Sequence, residues 1–177
     1  MNEALTPLKI EGHAGEDPRD SAETYRNFRN ALGQFATGVT VMTGFSPSGE
    51  RFGITVTSFN SLSLDPPLIL WSLGREGGSF ACFQAGTPFA VNVLSAGQKD
   101  LAERFARVGI PKFAGVAIEE GLDGTPLISG ASAYFECVVE ARYPGGDHDI
   151  IVGRVRRLFN IGKDPLLFYR GALRPLV

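Results

Sequence analysis

At 177 residues, 44% hydrophobic and 20% charged, the chain has the length and composition of one globular domain with a sizeable core, which excludes a disordered or fibrous protein. Its 17 basic and 19 acidic residues leave a formal charge of −2, which argues against nucleic acid or an anionic membrane as the main partner. The two cysteines, Cys82 and Cys137, lie on apolar segments without metal-like spacing and read as reduced core residues of a cytoplasmic protein.

Residues 1–20 carry Pro7, Gly12, Gly15 and Pro18 among scattered charges. They lack the apolar run of a signal peptide and read as a mobile N-terminal arm ahead of one domain over residues 21–177. No run is long enough to span a bilayer, so the cytoplasm is the expected compartment and no membrane partner is expected. Asp20 and Glu23 have the spacing of a capping box, and Tyr25, Phe28, Leu32 and Phe35 follow at helical spacing around Gly33, so one amphipathic helix opens the domain. The β-branched segment 38–44, the turn Ser46-Pro-Ser-Gly49 and residues 51–57 form a hairpin. A hydroxyl-rich loop then runs to Pro66 and Pro67.

Residues 68–73 are apolar nearly throughout, which predicts a central strand buried on both faces. A short helix around Phe80, Ala81 and Phe83 leads to a strand over 88–94, and a second helix over 98–108 lines up Leu101, Ala102, Phe105 and Val108. Ala133, Phe135, Cys137, Val139 and Ala141 alternate with other residues, and 151–155 returns after the turn at Pro144-Gly-Gly-Asp-His148, giving a long hairpin. Residues 165–171 close the chain as a short strand. Strands outnumber helices and do not alternate with them, so the fold class is mainly β, an antiparallel barrel with a few covering helices.

The chain has no G-x-G-x-x-G after a strand, no Walker-type loop, no G-x-S-x-G, no H-E-x-x-H and no C-x-x-C. With His13 and His148 its only histidines, a metal site or a conventional triad has almost no material, and no metal is expected. What remains is the segment 51–67, where Thr55, Thr57 and Ser58 sit on or just past a strand and Gly53 permits close approach of a backbone or ring. Hydroxyls and backbone N–H groups without a carboxylate or imidazole suit a large, flat ligand with hydrogen-bonding edges, such as a flavin. Taken as composition alone, the same hydroxyls fit any strand and loop. His148, a lone histidine at a hairpin turn, could equally be a surface residue.

In order, Gly53-Ile-Thr-Val-Thr-Ser-Phe59 and Ser63-Leu-Asp-Pro-Pro-Leu68 resemble the signature of the short-chain flavin reductases, the reductase components of two-component flavin-dependent monooxygenases. Further matches at 36–41, 89–94, 112–115 and Gly145-Gly-Asp-His148 extend the resemblance over about residues 25–175. The resemblance implies an FMN-binding split β-barrel that dimerises, uses NADH or NADPH to reduce FMN or FAD, and passes free reduced flavin to a separate monooxygenase component. It places flavin against Arg51, Phe52, Gly53, Ile54, Thr55, Thr57, Ser58, Ser72, Leu73, Gly74, Ser79, Arg104 and Phe105. It places nicotinamide against His148, as an assisting group, and against Phe168, Tyr169, Arg170 and Gly171.

Where relatives carry a basic residue before Ser79 this chain has Gly78, with Arg75 the nearest substitute. Where they often carry threonine or an apolar residue after the histidine it has Asp149, a candidate either to hold His148 in one tautomer or to raise its basicity, between which the sequence does not choose. A split-barrel flavoprotein that retains its flavin as an electron carrier is the alternative reading.

Overall fold

The computed structural model describes residues 9–11 and 13–176. Of the arm expected over residues 1–20, residues 1–8 and 12 lie outside the described residues. The rest includes a short ladder of β1 (Lys9–Ile10) on β2 (His13–Ala14).

Helix α1 (Ala22–Leu32) starts one residue later than the sequence spacing suggests. Ser21, in extended backbone, is the N-cap, and its capping box closes with Thr24 in place of Asp20 and Glu23. A hydroxyl at each end satisfies the same orphan N–H groups that a carboxylate would. Gly33 ends the helix as expected, its N–H bonding Arg29 and Ala31 carbonyls. The apolar stripe is left largely exposed: Tyr25 is 56%, Phe28 44%, Leu32 59% and Phe35 75% exposed.

The segment read as one strand over 38–44 is divided between two sheets, β3 (Thr37–Gly38) and β4 (Thr40–Phe45). The latter pairs β5 (Arg51–Val56) in the expected hairpin. The hydroxyl-rich segment is not wholly loop, because β6 (Asn60–Leu64) pairs β7 (Pro67–Gly74), with a register shift between Ser61 and Ser63. Then follow β8 (Pro88–Val93), α2 (Lys99–Ala106), β9 (Ile118–Glu120) and β10 (Pro126–Ile128). The chain finishes with β11 (Ala133–Gly145), β12 (His148–Asn160), β13 (Leu166–Tyr169) and β14 (Ala172–Pro175).

One antiparallel sheet of seven strands runs β5-β4-β8-β11-β12-β7-β6, a second of three runs β14-β13-β3, and β9 pairs β10. Strand β7 is therefore next to an edge and not central. Its burial alternates, with Ile69, Trp71 and Leu73 inward and Leu68, Leu70 and Ser72 half-covered, so the apolar run marks one core face and one partly covered face.

Met42, Val56, Ile69, Trp71, Phe83, Phe89, Val91, Cys137, Val139 and Ile151 share one cluster. Phe83 bridges it, with its ring centroid 4.8 Å from Phe52 on β5 and 4.6 Å from Trp71 on β7, edge to face with both. Four strands separate β5 from β7 in the sheet order, so only a sheet curled around its own core brings those rings together. Its edge strands, β5 and β6, do not pair with each other. Burying a side chain such as Phe83 contributes about 1.5–3 kcal/mol.

Trp71, the chain's only tryptophan, is fully buried here with its indole N–H unpartnered. Cys82 and Cys137 are buried free thiols, as expected, and burial pushes the Cys137 thiol up to about 12. A second cluster, with Val39, Val41, Leu94, Phe105, Ile128 and Leu166, fills the space under α2.

Candidate functional site

The corner between β5 and β6 builds one end of a continuous rim. Ser58 Oγ accepts the Ser72 N–H at 2.9 Å, pinning the corner to the outer half of β7. Two registers further along, Gly74 pairs His148 of β12, and a Cβ at Gly74 would lie 3.6 Å from His148 Nε2. Thr57, Ser58, Ser72, Gly74 and His148 are thus brought onto one stretch of the molecule by the β6–β7–β12 pairing.

Beside Thr57 a cavity of about 960 Å³ opens between α1, β3 and β13, with Thr57, Phe168, Arg170 and Gly171 among its lining residues. Thr37 also lines it, and its buried Oγ1 has no hydrogen-bond partner. The flavin-assigned Thr57 and the nicotinamide-assigned Phe168, Arg170 and Gly171 therefore share one cavity. Arg170, at φ 49°, bonds Gln34 Oε1 through Nε and Nη2 at 3.0 and 2.8 Å. Its guanidinium also lies 5.1 Å from the Tyr169 ring centroid.

Most of the other flavin-assigned residues face inward. Phe105 is fully buried, and a Cβ at Gly53 would meet its ring at 2.5 Å, so the close approach that Gly53 permits is made by the chain's own Phe105. Lys112 Nζ donates to the Gly53 and Phe105 carbonyls, both at 2.9 Å, and Thr55 Oγ1 donates to the Ala102 carbonyl at 2.6 Å. Burial shifts the Lys112 ammonium downward. Phe52 and Ile54 pack against the main core, Leu73 lies within it, and Arg51 is exposed at the start of β5. Arg104 Nη1 donates to the Ala114 carbonyl at 2.5 Å. These contacts make α2 the brace behind β5.

The loop around Ser79 differs from expectation at two points. Ser79 precedes a single 3-10 turn, Phe80–Cys82, and its side chain makes no capping bond, so no helix of useful length presents its N-terminus there. Arg75 is already engaged: its Nε donates to Asp149 Oδ1 at 2.7 Å and its N–H to the Asp147 carbonyl at 3.0 Å. Asp149 also accepts from Arg142 Nη2 at 2.8 Å, while Arg142 Nη1 reaches the Phe83 and Phe80 carbonyls. Hydrogen bonds from Arg75 and Arg142, outweighing desolvation, hold the Asp149 carboxyl below its ordinary range.

Asp149 is therefore not the partner of His148. That partner is Asp147, whose Oδ1 lies 2.8 Å from His148 Nδ1. Adjacent strand residues point to opposite faces, so exposed His148 and buried Asp149 cannot meet, whereas Asp147 in the turn can. Sequence reading also passed over Arg26, Arg29 and Thr37 as cavity residues. The i, i+3 spacing of the two arginines beside the apolar stripe was the available signal.

A family model described as a flavin reductase-like domain matches residues 32–176. An FMN reductase (NADH), SmoA, of Agrobacterium fabrum is 48% identical over 150 residues, covering 85% of this chain and 85% of its own length. The reductase component of the flavin-dependent trigonelline monooxygenase of Acinetobacter baylyi is 38% identical, covering 86% of this chain; the chain spans about half of that protein, 49%. The Streptomyces globisporus NADH:FAD oxidoreductase SgcE6, solved in complex with NAD and FAD fragments, superposes with a TM-score of 0.83 at 37% identity. That match covers 91% of this chain and 95% of the other.

Proposed function

The chain belongs to the flavin reductase-like domain family, and from that membership we propose that it transfers hydride from NADH or NADPH to FMN or FAD and hands the reduced flavin to a separate monooxygenase. The observation that carries this reading is the meeting of the Thr57–Ser58–Ser72 rim with His148 at one end and the Phe168–Arg170 cavity at the other. The unpartnered Thr37 hydroxyl in that cavity fits a ligand with hydrogen-bonding edges.

The flavin supplies the hydride-accepting chemistry when bound. This chain's residues orient and shield. Thr57 offers a hydroxyl to the polar edge of the ring, and Ser58 fixes the rim by holding the Ser72 N–H. His148 keeps a proton on Nδ1 for Asp147 and turns Nε2 toward Gly74, free to bond a carboxamide. Leu32, Phe35 and Phe168 give the cavity its apolar wall.

We read the curled seven-stranded sheet as a split barrel, supported by the Phe52–Phe83–Trp71 contacts across it. The protein is a homodimer in this reading, with a second copy covering the exposed α1 stripe, and it is cytoplasmic, in keeping with its free thiols. No helix among the described residues is long and apolar enough to cross a membrane.

The test is NADH and NADPH oxidation with excess FMN, FAD or riboflavin. Steady turnover is the expected result. Oxidation that stops after one equivalent would assign the protein as a flavin-retaining carrier, and none at all would end the reductase reading.

A further inference from the structure

The tip of the β11–β12 hairpin has two unlike faces. His148 stands exposed on the open face beside Gly74, and Asp149, the next residue along the strand, points the other way and is buried. On that inner face Asp149 lies between two guanidinium groups. Arg75 Nε donates to its Oδ1 at 2.7 Å, and Arg142 Nη2 and Nε donate to its Oδ2 at 2.8 and 3.2 Å. The Asp149 and Arg142 side chains are only 10% and 14% exposed.

Closing the hairpin does not require this cluster, because the β11–β12 ladder itself runs to the Gly145–His148 pair. Burying a carboxylate between two cations costs desolvation that apolar side chains would not incur, so stability alone is a weak reason for it. What the cluster does is connect the tip to a fixed point. Arg142 Nη1 donates to the Phe83 carbonyl at 3.0 Å, its guanidinium lies over the Phe80 ring, and Phe83 is fully buried in the main core. On the other side the Arg75 N–H donates to the Asp147 carbonyl at 3.0 Å. The restraint thus reaches the backbone on both sides of His148. The imidazole needs it: among the described residues its one side-chain partner is Asp147, which at 92% exposure is too free to fix a ring direction.

We propose that Asp149 is a positioning residue for His148: without touching the imidazole, it ties the turn to Phe83 through Arg142 and so holds His148 Nε2 toward Gly74. Asp147 selects the tautomer, and Asp149 fixes where the ring points. What His148 then does for NAD(P)H rests on the flavin reductase reading, whereas its placement by Asp149 does not.

The experiment is a double-mutant cycle of Asp149→Asn and His148→Ala in the full chain, with circular dichroism as the check on folding. It is read by kcat/KM for NAD(P)H, by flavin titration and by the imidazole NMR spectrum. Asp149→Asn should lower kcat/KM about fivefold or more and leave flavin affinity within about twofold, and in the His148→Ala background it should cost almost nothing further. With His13→Gln in every protein, His148 is the only imidazole, and its Nδ1–H pattern should broaden or shift in Asp149→Asn. Arg142→Lys keeps the charge but cannot hold the carboxylate and the Phe83 carbonyl together, so it should reproduce both effects and replaces Asp149→Asn if that variant does not fold. Glu140→Gln opens the exposed pair with Arg154 on the same hairpin and should change neither. Losses that add across the cycle, an unaltered imidazole spectrum, or an equal effect of Glu140→Gln would overturn the proposal. The spectrum needs no turnover, so an imidazole that shifts in a protein that oxidises no NADH or NADPH would refute the reductase reading alone.

Discussion

At the scale of single residues, the geometry separates side chains that the sequence grouped together. Thr57 lines the cavity, whereas Ser58 spends its hydroxyl on Ser72. Replacing Thr57 with Val should therefore weaken flavin binding by about 1 kcal/mol, the usual worth of one neutral hydrogen bond, without unfolding the rim. Ser58→Ala should instead loosen the β5–β6 corner, seen as faster amide exchange at Ser72. His148→Ala should raise the Michaelis constant for NAD(P)H or slow reduction of bound flavin in stopped flow, leaving flavin affinity nearly intact. An equal loss of flavin affinity would return His148 to an ordinary turn residue. The hydroxyl cluster and the histidine were legible in the sequence because residue type and order are local properties. The partner of His148 was not, since it depended on which face of β12 each residue takes.

At the scale of elements, Asp149 ties the loop at 75–83 to the β11–β12 hairpin through Arg75 and Arg142, with the Arg142 guanidinium also 4.2 Å from the Phe80 ring centroid. The folded-state carboxyl titrates below its unfolded value, so its contribution to stability is full above the unfolded value and is lost as pH falls through the folded one. The clamp should hold throughout the neutral range and release only in acid, below the ordinary carboxylate range. Asp149→Asn should accelerate hydrogen exchange across residues 75–83 at neutral pH, and wild-type exchange there should be insensitive to pH between 6 and 8 once intrinsic rates are divided out, taking ordinary carboxylates to titrate near about 4. The hairpins were readable because alternation and turn residues sit side by side in the chain. Short strands such as β9, β10 and β14 carry three or four residues each, too few for a period to register, although they pair in local hairpins, β9 with β10 and β14 with β13.

At the scale of the molecule, α1 has Tyr25 and Phe28 of its stripe exposed away from the cavity, while Leu32 and the arginines border it. A second subunit over that stripe predicts a dimer in sedimentation at micromolar concentration, and Tyr25→Glu with Phe28→Glu should shift it to monomer. A wild-type monomer with full activity would contradict the assembly. The sequence disclosed that α1 was amphipathic, but periodicity reports a stripe without saying whether its cover is the same chain or another. The curl of the large sheet is expressed in contacts such as Phe52–Phe83–Trp71 between residues far apart in the chain, which no local pattern specifies. The burial of Trp71 has an optical consequence. A lone indole fully screened from water, with no hydrogen bond at its N–H, emits at the blue end of the tryptophan range, and every photon in that spectrum reports the same spot in the core. Unfolding should move the emission to the red in a single shift, and an oxidised flavin, whose absorption overlaps the indole emission, should dim it on docking without moving its wavelength.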